Sequence, residues 1–233
     1  MSKRQELREK HKKQQKQQRL IIIIMVVIGA VLISGALILP NLKPVGSITQ
    51  ITPRAISAAV NLTTMGKTDA PVKVDVWEDF QCPACKQYSQ QVEPQVITNY
   101  VETGKVFYTF HHFPFIDSQV TTKESHQAAN ASMCAAAQGK FWDYHDMLFA
   151  NWEGENLGFF NDKRLIAFAQ TLSLNMTDFN TCFNKNQYQV EIEKDYTDGI
   201  NKGVTGTPTV LVNGVQTSLD NLFTAIDAAV SGK

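Results

Sequence analysis

Two cysteines three positions apart, Cys82 and Cys85, are the residues of this sequence best suited to chemistry. They follow closely on a mostly apolar run, VDVWEDF, and they enclose Pro83 and Ala84. A Cys-x-x-Cys motif can supply half of a zinc site, a structural crosslink or a redox pair. The other residues of the chain decide among these three kinds of site.

Metal binding and crosslinking are the two interpretations that the sequence disfavours. A structural zinc site needs four ligands, and Cys134 and Cys182 are distant, with no histidine at ligand spacing near either. His111 and His112 are adjacent on a predicted strand, so their side chains point to opposite faces. A disulfide across so short a loop stabilises a fold little. We expect neither a metal nor a bound cofactor.

The motif is predicted to lie where a strand ends and a helix begins. Residues 72–80 begin with the alternation of a half-buried strand, and Pro83 suits a first helical turn. Cys82 would then lie at the helix N-cap, where free backbone N–H groups and the helix dipole favour a thiolate. Cys85 would lie one turn further, shielded, and placed to attack a mixed disulfide formed by Cys82. This arrangement favours redox exchange.

Charge is distributed unevenly along the chain, although the formal net charge is zero. The first 19 residues carry eight Lys and Arg against two Glu, which leaves the remainder with 14 basic and 20 acidic residues. An acidic body is unsuited to general nucleic-acid binding, so we expect no nucleic-acid partner. The basic tail is interpreted as a topology signal, with contact to RNA or anionic lipid as the alternative.

Residues 20–39 hold no charge and are long enough to cross a bilayer core of about 30 Å. This pattern predicts an uncleaved membrane anchor, and a cleaved signal peptide is the alternative. The positive-inside rule places residues 1–19 in the cytoplasm and the remainder outside, where disulfides persist.

The rest of the chain is predicted to be a linker followed by one α/β domain. Residues 40–59 contain three prolines and no clear period, which is typical of a tether. Over residues 60–233 the predicted order is strand, helix, strand, helical block, hairpin and helix. This order indicates an α/β sheet with a helical insertion, at about residues 117–203.

Three separated segments resemble the thioredoxin superfamily: WEDFQCPACKQ, GKFWDYHD and GVTGTPTVLVNG. The helical insertion between them resembles the DsbA-like branch of thiol–disulfide oxidoreductases. The resemblance covers about residues 60–231 and leaves the tail and the anchor outside. It implies a thioredoxin-like fold with a helical insertion.

The resemblance also implies a role for each residue of the site. Cys82 would be the nucleophile and Cys85 the resolving thiol. A cis-proline turn would present backbone beside Cys82, where it can pair with a substrate strand. The positions that the resemblance marks as supporting the site are Pro83, Ala84, Thr207 and Pro208.

Two positions depart from the family pattern. The family often has a buried carboxylate six residues before the first cysteine, where this chain has Val76. Glu78 shares the strand face of Val76 and becomes the candidate proton shuttle, whereas Asp75 faces the other way. The strongest oxidants of the family have His between the cysteines, and Ala84 cannot donate the same hydrogen bond. The sequence therefore leaves the oxidising strength open.

Cys134 and Cys182 lie in the helical block, each flanked by apolar residues. Outside the membrane an even number of cysteines predicts a disulfide, and some members of the family join two helices of the insertion in this way. Two buried thiols and a second redox pair are the alternatives.

These observations predict a single-pass protein of the bacterial cell membrane that introduces disulfides into exported proteins with cysteines. The resemblance implies that a quinone-linked membrane partner reoxidises it, and we expect a monomer. A reductase or isomerase using the same cysteines is the first alternative. A redox-inactive chaperone or binding module is the second.

Overall fold

The computed structural model describes residues 3–38, 45–56, 58, 60–119 and 121–232. The chain divides into two compact units, Met1–Gly46 and Ser47–Lys233. The first unit contains one long helix, α1 (Lys3–Ile38). Its segment Lys12–Gly35 is apolar enough to cross a membrane, and its 24 residues reach about 36 Å. By length and composition this helix fits the predicted anchor.

Six strands of the described residues form one mixed sheet in the order β1-β2-β4-β3-β5-β6. The central strands β3 and β4 run parallel, and the other neighbours are antiparallel. A sheet of this kind with helices around it is the predicted α/β class. The strands are β1 (Val60–Asn61), β2 (Thr64–Met65), β3 (Val72–Glu78), β4 (Val106–His112), β5 (Thr209–Val212) and β6 (Val215–Thr217).

Eight helices surround this sheet in the described part of the second unit. A long segment between β4 and β5 contributes five of them, at the place of the predicted insertion. Pro94 interrupts the helical stretch after the cysteines: one helix ends at Gln91, the next begins at Glu93 with Pro94 in its first turn, and a π-helical turn (Ile97–Val101) follows. The helices are α2 (Pro83–Gln91), α3 (Glu93–Val96), α4 (Glu124–Ala136), α5 (Phe141–Ala150), α6 (Asp162–Thr171), α7 (Met176–Asn184), α8 (Gln189–Asn201) and α9 (Leu222–Val230).

Strand β3 delivers the cysteine motif to the edge of the core. Val72, Val74 and Val76 are fully buried, as their alternation predicts. The strand then becomes buried on both sides, because Trp77 and Glu78 are buried as well. This occurs where helices cover both faces of a central strand.

Residues 47–56, which we call the strap, pack against the rest of the second unit, so the predicted linker over 40–59 needs correction for these residues. Residues 40–44, 57 and 59 of that linker lie outside the described residues. Ile48, Ile51 and Ile56 pack against the hydrophobic core. The backbone N–H of Thr49 donates to Oδ1 of Asn151 at 2.7 Å, and the Asn151 amide donates back to the Thr49 carbonyl at 3.0 Å. The three isoleucines bury apolar surface, which explains why this proline-containing stretch is not a free tether. The compact unit accordingly begins at Ser47 and not at residue 60.

His111 on β4 holds helix α8 against the sheet. Its ring stacks on Trp77 with the centroids 4.3 Å apart. Nε2 lies 3.0 Å from Asp75 and Nδ1 lies 3.2 Å from Asp195, which is on α8. Burial lowers the pKa of His111, but the hydrogen bonds and charges of Asp195 and Asp75 outweigh it and raise the pKa to about 9. The imidazolium is therefore the form that binds α8 at neutral pH.

We expect the substitution His111→Asn to lower the free energy of unfolding in a pH-dependent way. The folded pKa lies above the unfolded value of about 6.5, so the contribution of His111 is complete below that pH and disappears as the pH rises through about 9. Its full size is up to about 3 kcal/mol. Urea unfolding at pH 6 and pH 10 measures it. Asp195→Asn should remove part of the same component, because Asp75 remains, and an equal loss from His111→Asn at both pH values would contradict the assignment.

Candidate redox site

The two cysteines lie at the start of α2, as the strand-to-helix pattern predicts. Cys82 is the N-cap residue with extended backbone, and Pro83 occupies the first turn. The helix is preceded by a turn. In this turn the Cys82 N–H donates to the Asp79 carbonyl at 2.9 Å. Both cysteines are free thiols, with Cys82 6% exposed and Cys85 fully buried. Only the first sulfur is therefore within reach of a partner.

The two thiols differ strongly in acidity. A hydrogen bond from Cys85 is the largest cause that lowers the pKa of Cys82 to about 6. Thr207 and the backbone N–H groups of Ala84 and Cys85 contribute further, and burial opposes them. The pKa of Cys85 is raised well above its ordinary value, chiefly by burial and then by its hydrogen bond to Cys82 and the charge of Glu78. Thiol–disulfide exchange needs two such unequal cysteines, one that is stable as a thiolate and one that is stable as a thiol.

A cis peptide bond between Thr207 and Pro208 faces the motif. The chain reaches this position because β5, which begins at Thr209, pairs antiparallel with β3, so that Trp77 lies opposite Thr209. The Cys82 thiol donates to the Thr207 carbonyl across 3.3 Å. Ala84, between the cysteines, contributes a backbone N–H to Cys82. The structure thus brings together the supporting positions that the sequence indicates.

The carboxylates near the motif have three different environments. Asp75 faces away from the cysteines and binds His111. Asp79 is buried and accepts hydrogen bonds from the Ser125 hydroxyl and from the backbone N–H groups of Gln81 and Ile116; burial is the largest cause that raises its pKa, to about 7. Through these hydrogen bonds Asp79 stabilises the turn that precedes α2. Glu78, the last residue of β3, is left as the acid beside the cysteines.

Glu78 is 1% exposed, and neither of its carboxylate oxygens has a hydrogen-bond partner among the described residues. Burial raises the pKa of Glu78 well above its ordinary value, and the charges of Glu93 and Cys82 raise it further. An unpartnered buried carboxylate is costly, so the neutral acid is the stable form. Glu78 also acts on Cys85, because its charge raises the pKa of that buried thiol.

Glu93 and Arg54 lie near the site, and the sequence analysis did not predict a role for either. Glu93 is fully buried and accepts a hydrogen bond from the Tyr108 hydroxyl at 3.1 Å. Arg54, from the strap, pairs with Glu93 across 2.7 Å. Glu78, Glu93 and His145 each place one ligand-type atom within 4.8 Å of the others, which is the geometry of a small metal site. Arg54 already supplies a cation to this cluster, and we assign no metal to it.

A family model described as Thioredoxin matches residues 59–231. The chain belongs to the thioredoxin family. A curated relative named probable disulfide bond formation protein D, from Bacillus anthracis, is 28% identical over 168 residues, which cover 70% of this chain and 76% of the relative. Among solved structures, BdbD from Bacillus subtilis (oxidised) has a TM-score of 0.65 at 23% identity, covering 80% of this chain and all of that one. Wolbachia pipientis alpha-DsbA1 has a TM-score of 0.63 at 23% identity, covering 73% and 91%.

These likenesses confirm the predicted thioredoxin-like fold with a DsbA-like helical insertion. With a Cys-x-x-Cys pair at the N-terminus of α2, this member of the thioredoxin family is a thiol–disulfide oxidoreductase.

The second cysteine pair of this thioredoxin-family domain is bonded. Cys134 on α4 and Cys182 on α7 form a disulfide that closes a loop with a sequence separation of 48. Both residues are buried in the helical insertion. The bond joins two helices of the insertion, and both of its cysteines lie far along the chain from Cys82 and Cys85.

Proposed function

We propose that the protein is an oxidase that transfers the Cys82–Cys85 disulfide to exported proteins with cysteines. The observation that carries this proposal is the position of Cys82 at the N-cap of α2 beside a fully buried Cys85, which lowers the pKa of the Cys82 thiol. A stabilised thiolate stabilises the reduced protein, and a stable reduced form makes its disulfide a stronger oxidant. The Bacillus anthracis relative is named a probable disulfide bond formation protein, which supports the oxidising direction.

The reaction has two exchanges and moves two electrons from the substrate to the protein. A substrate thiolate attacks the Cys82 sulfur, the Cys82–Cys85 bond breaks, and Cys85 leaves and takes a proton. The neutral Glu78 is the donor we assign to that proton. A second substrate thiolate then attacks the substrate sulfur of the mixed disulfide, and Cys82 leaves as a thiolate. The substrate is released with a disulfide and the protein as a dithiol.

The other site residues support these exchanges. Pro83 fixes the first turn of α2, and the Ala84 N–H stabilises the Cys82 thiolate. Thr207 and Pro208 present backbone beside Cys82, where a substrate strand can pair with it.

The reduction potential of the Cys82–Cys85 pair tests the proposal. At pH 7 a cysteine of pKa about 6 is ionised more fully than one of about 7, the value for thioredoxin; this favours the reduced form by about 1 kcal/mol, or about 20 mV. We expect the full chain in detergent, equilibrated with glutathione buffers, to lie above about −270 mV, on the side of the −120 mV of DsbA. A value at or below about −270 mV would make the protein a reductase. The variant Cys134→Ala/Cys182→Ala confirms which pair titrates.

The proposed location follows from the N-terminal segment. Residues 1–19, with their eight basic side chains, are assigned to the cytoplasm, and residues 20–39 to the membrane. The catalytic domain then lies outside, where disulfides persist. The reduced pair must be reoxidised after each turnover, and we assign this to a quinone-linked membrane partner, as the DsbA-like resemblance implies. We propose that the protein acts as a monomer.

A further inference from the structure

The strap brings one cation into the interior of the domain. Arg54 places Nε 2.6 Å from Oδ2 of Asp146 and its NH2 group against Oδ1 of the same carboxylate. The same guanidinium lies 2.7 Å from Glu93 and 5.9 Å from the Trp142 ring. Its side chain is 18% exposed, so it is held between the surface and the core. A bidentate pair of this kind fixes the guanidinium in position.

Side chains from three segments, β4, α5 and the strap, lie close to the Glu93 carboxylate. The Tyr108 hydroxyl of β4 donates to Oε1, and Nε2 of His145 on α5 lies 3.9 Å from the same oxygen. Arg54 of the strap faces the other oxygen, Oε2. The charged or titratable groups that act on Glu93 or lie in reach of it are Arg54, Glu78, Tyr88, Tyr108 and His145. Arg54 is the side chain among them with a permanent positive charge.

Glu78 and Glu93 therefore form a buried acid pair with a single neighbouring arginine. One carboxylate oxygen of Glu78 lies within 4.8 Å of one oxygen of Glu93, and neither oxygen of Glu78 has a hydrogen-bond partner among the described residues. Two like charges so close in a buried site are unfavourable, and the charge of Glu93 therefore adds to burial in raising the pKa of Glu78. The arginine decides which carboxyl group is charged, because it touches Glu93 and not Glu78.

We propose that Arg54 is a positioning residue of the redox site, which holds Glu93 as the carboxylate so that Glu78 keeps the proton for Cys85. The strap is on this view part of the site, although it lies more than 20 residues before the cysteines. The inference rests on the proposed role of Glu78 as a proton donor, and it adds the group that controls that donor.

The pH profile of a single exchange step tests this inference. The rate constant for reduction of the Cys82–Cys85 disulfide by dithiothreitol is measured in the full chain from pH 5 to pH 10 and divided by the reagent's thiolate fraction. The corrected rate should fall where the acid pair loses its last proton. Arg54→Gln removes the cation that stabilises the doubly ionised pair, so we expect the midpoint to rise by about one unit or more. Glu93→Gln removes the competing charge, so its midpoint should fall.

The double variant Arg54→Gln/Glu93→Gln separates action through Glu93 from a general effect. We expect less than half of the Arg54 shift to remain in the Glu93→Gln background. Arg54→Lys keeps the charge but cannot form the bidentate pair with Asp146, so its midpoint should lie between those of the wild type and Arg54→Gln. Asn151→Ala releases the strap at Thr49 without changing charge, and it should leave the midpoint at the wild-type value.

Several results would overturn the inference. An Arg54→Gln midpoint equal to that of the wild type, or an undiminished shift in the double variant, contradicts it. If Arg54→Gln does not fold, an unshifted midpoint in Glu93→Gln is equally decisive. The wild-type reduction potential decides the proposed function separately, because a reductase would show the same dependence of its acid pair on Arg54. A Glu78→Gln profile that still falls at the wild-type midpoint would remove Glu78 as the donor and with it this inference.

Discussion

Replacing Cys82 by serine is expected to abolish thiol–disulfide exchange, with a loss on the order of 10³-fold or more. Cys82 is the sulfur that a substrate can reach, and its pKa of about 6 keeps it a thiolate at neutral pH. A serine hydroxyl does not ionise at that pH and forms no disulfide. The measurement is the rate of disulfide formation in a reduced model protein, with glutathione disulfide present to reoxidise the chain.

The variant Cys85→Ser is the matched test of the resolving thiol. It keeps the reactive Cys82, so we expect it to form a mixed disulfide with a disulfide-containing substrate and to stop there. Intact mass would show the covalent adduct. Cys134→Ala/Cys182→Ala should exchange at the wild-type rate, since this pair is already bonded within the insertion. Full activity in Cys82→Ser would restore the interpretation as a redox-inactive chaperone or binding module.

The parts of the site that the sequence predicts are those with local physical causes. The alternation from Val72 to Val76 predicts β3, and Pro83 marks the first turn of α2, so the position of Cys82 at the N-cap follows from neighbouring residues. Charge and apolar length predict the anchor in the same way. The Thr207–Pro208 turn is different, because its place beside Cys82 follows from the resemblance and not from pattern.

The parts that the sequence does not reveal depend on contacts between distant segments. Glu93 falls in a helical stretch next to Pro94, and nothing in the local pattern distinguishes it from a solvent-exposed glutamate. Arg54 lies in a stretch whose prolines predict a tether, and its partner Asp146 is 92 residues away. The isoleucine spacing of the strap, at 48, 51 and 56, is the signal that could have indicated packing. Such pairs are decided by tertiary packing, which overrides local propensity.

Removing the second disulfide, with Cys134→Ala/Cys182→Ala, is expected to lower the free energy of unfolding by about 4 kcal/mol. The bond closes a loop with a sequence separation of 48, so its loss gives the unfolded chain many more conformations. The crosslink joins α4 to α7, two helices that pack directly on each other. Urea unfolding of the full chain in detergent, followed by tryptophan fluorescence, measures the loss.

The slope of the unfolding curve distinguishes a lost crosslink from a lost contact. Without the bond the unfolded chain is more expanded, so the dependence of the free energy on urea should become steeper. A cavity left by two buried sulfur atoms would lower the midpoint without steepening the curve. The potential of Cys82–Cys85 should stay unchanged, since the thiolate is stabilised by the Cys85 side chain and by backbone N–H groups at the start of α2. A loss below about 1 kcal/mol with an unchanged slope would show that the insertion is held by its packing alone, with Phe179 and its aromatic neighbours in place of the crosslink.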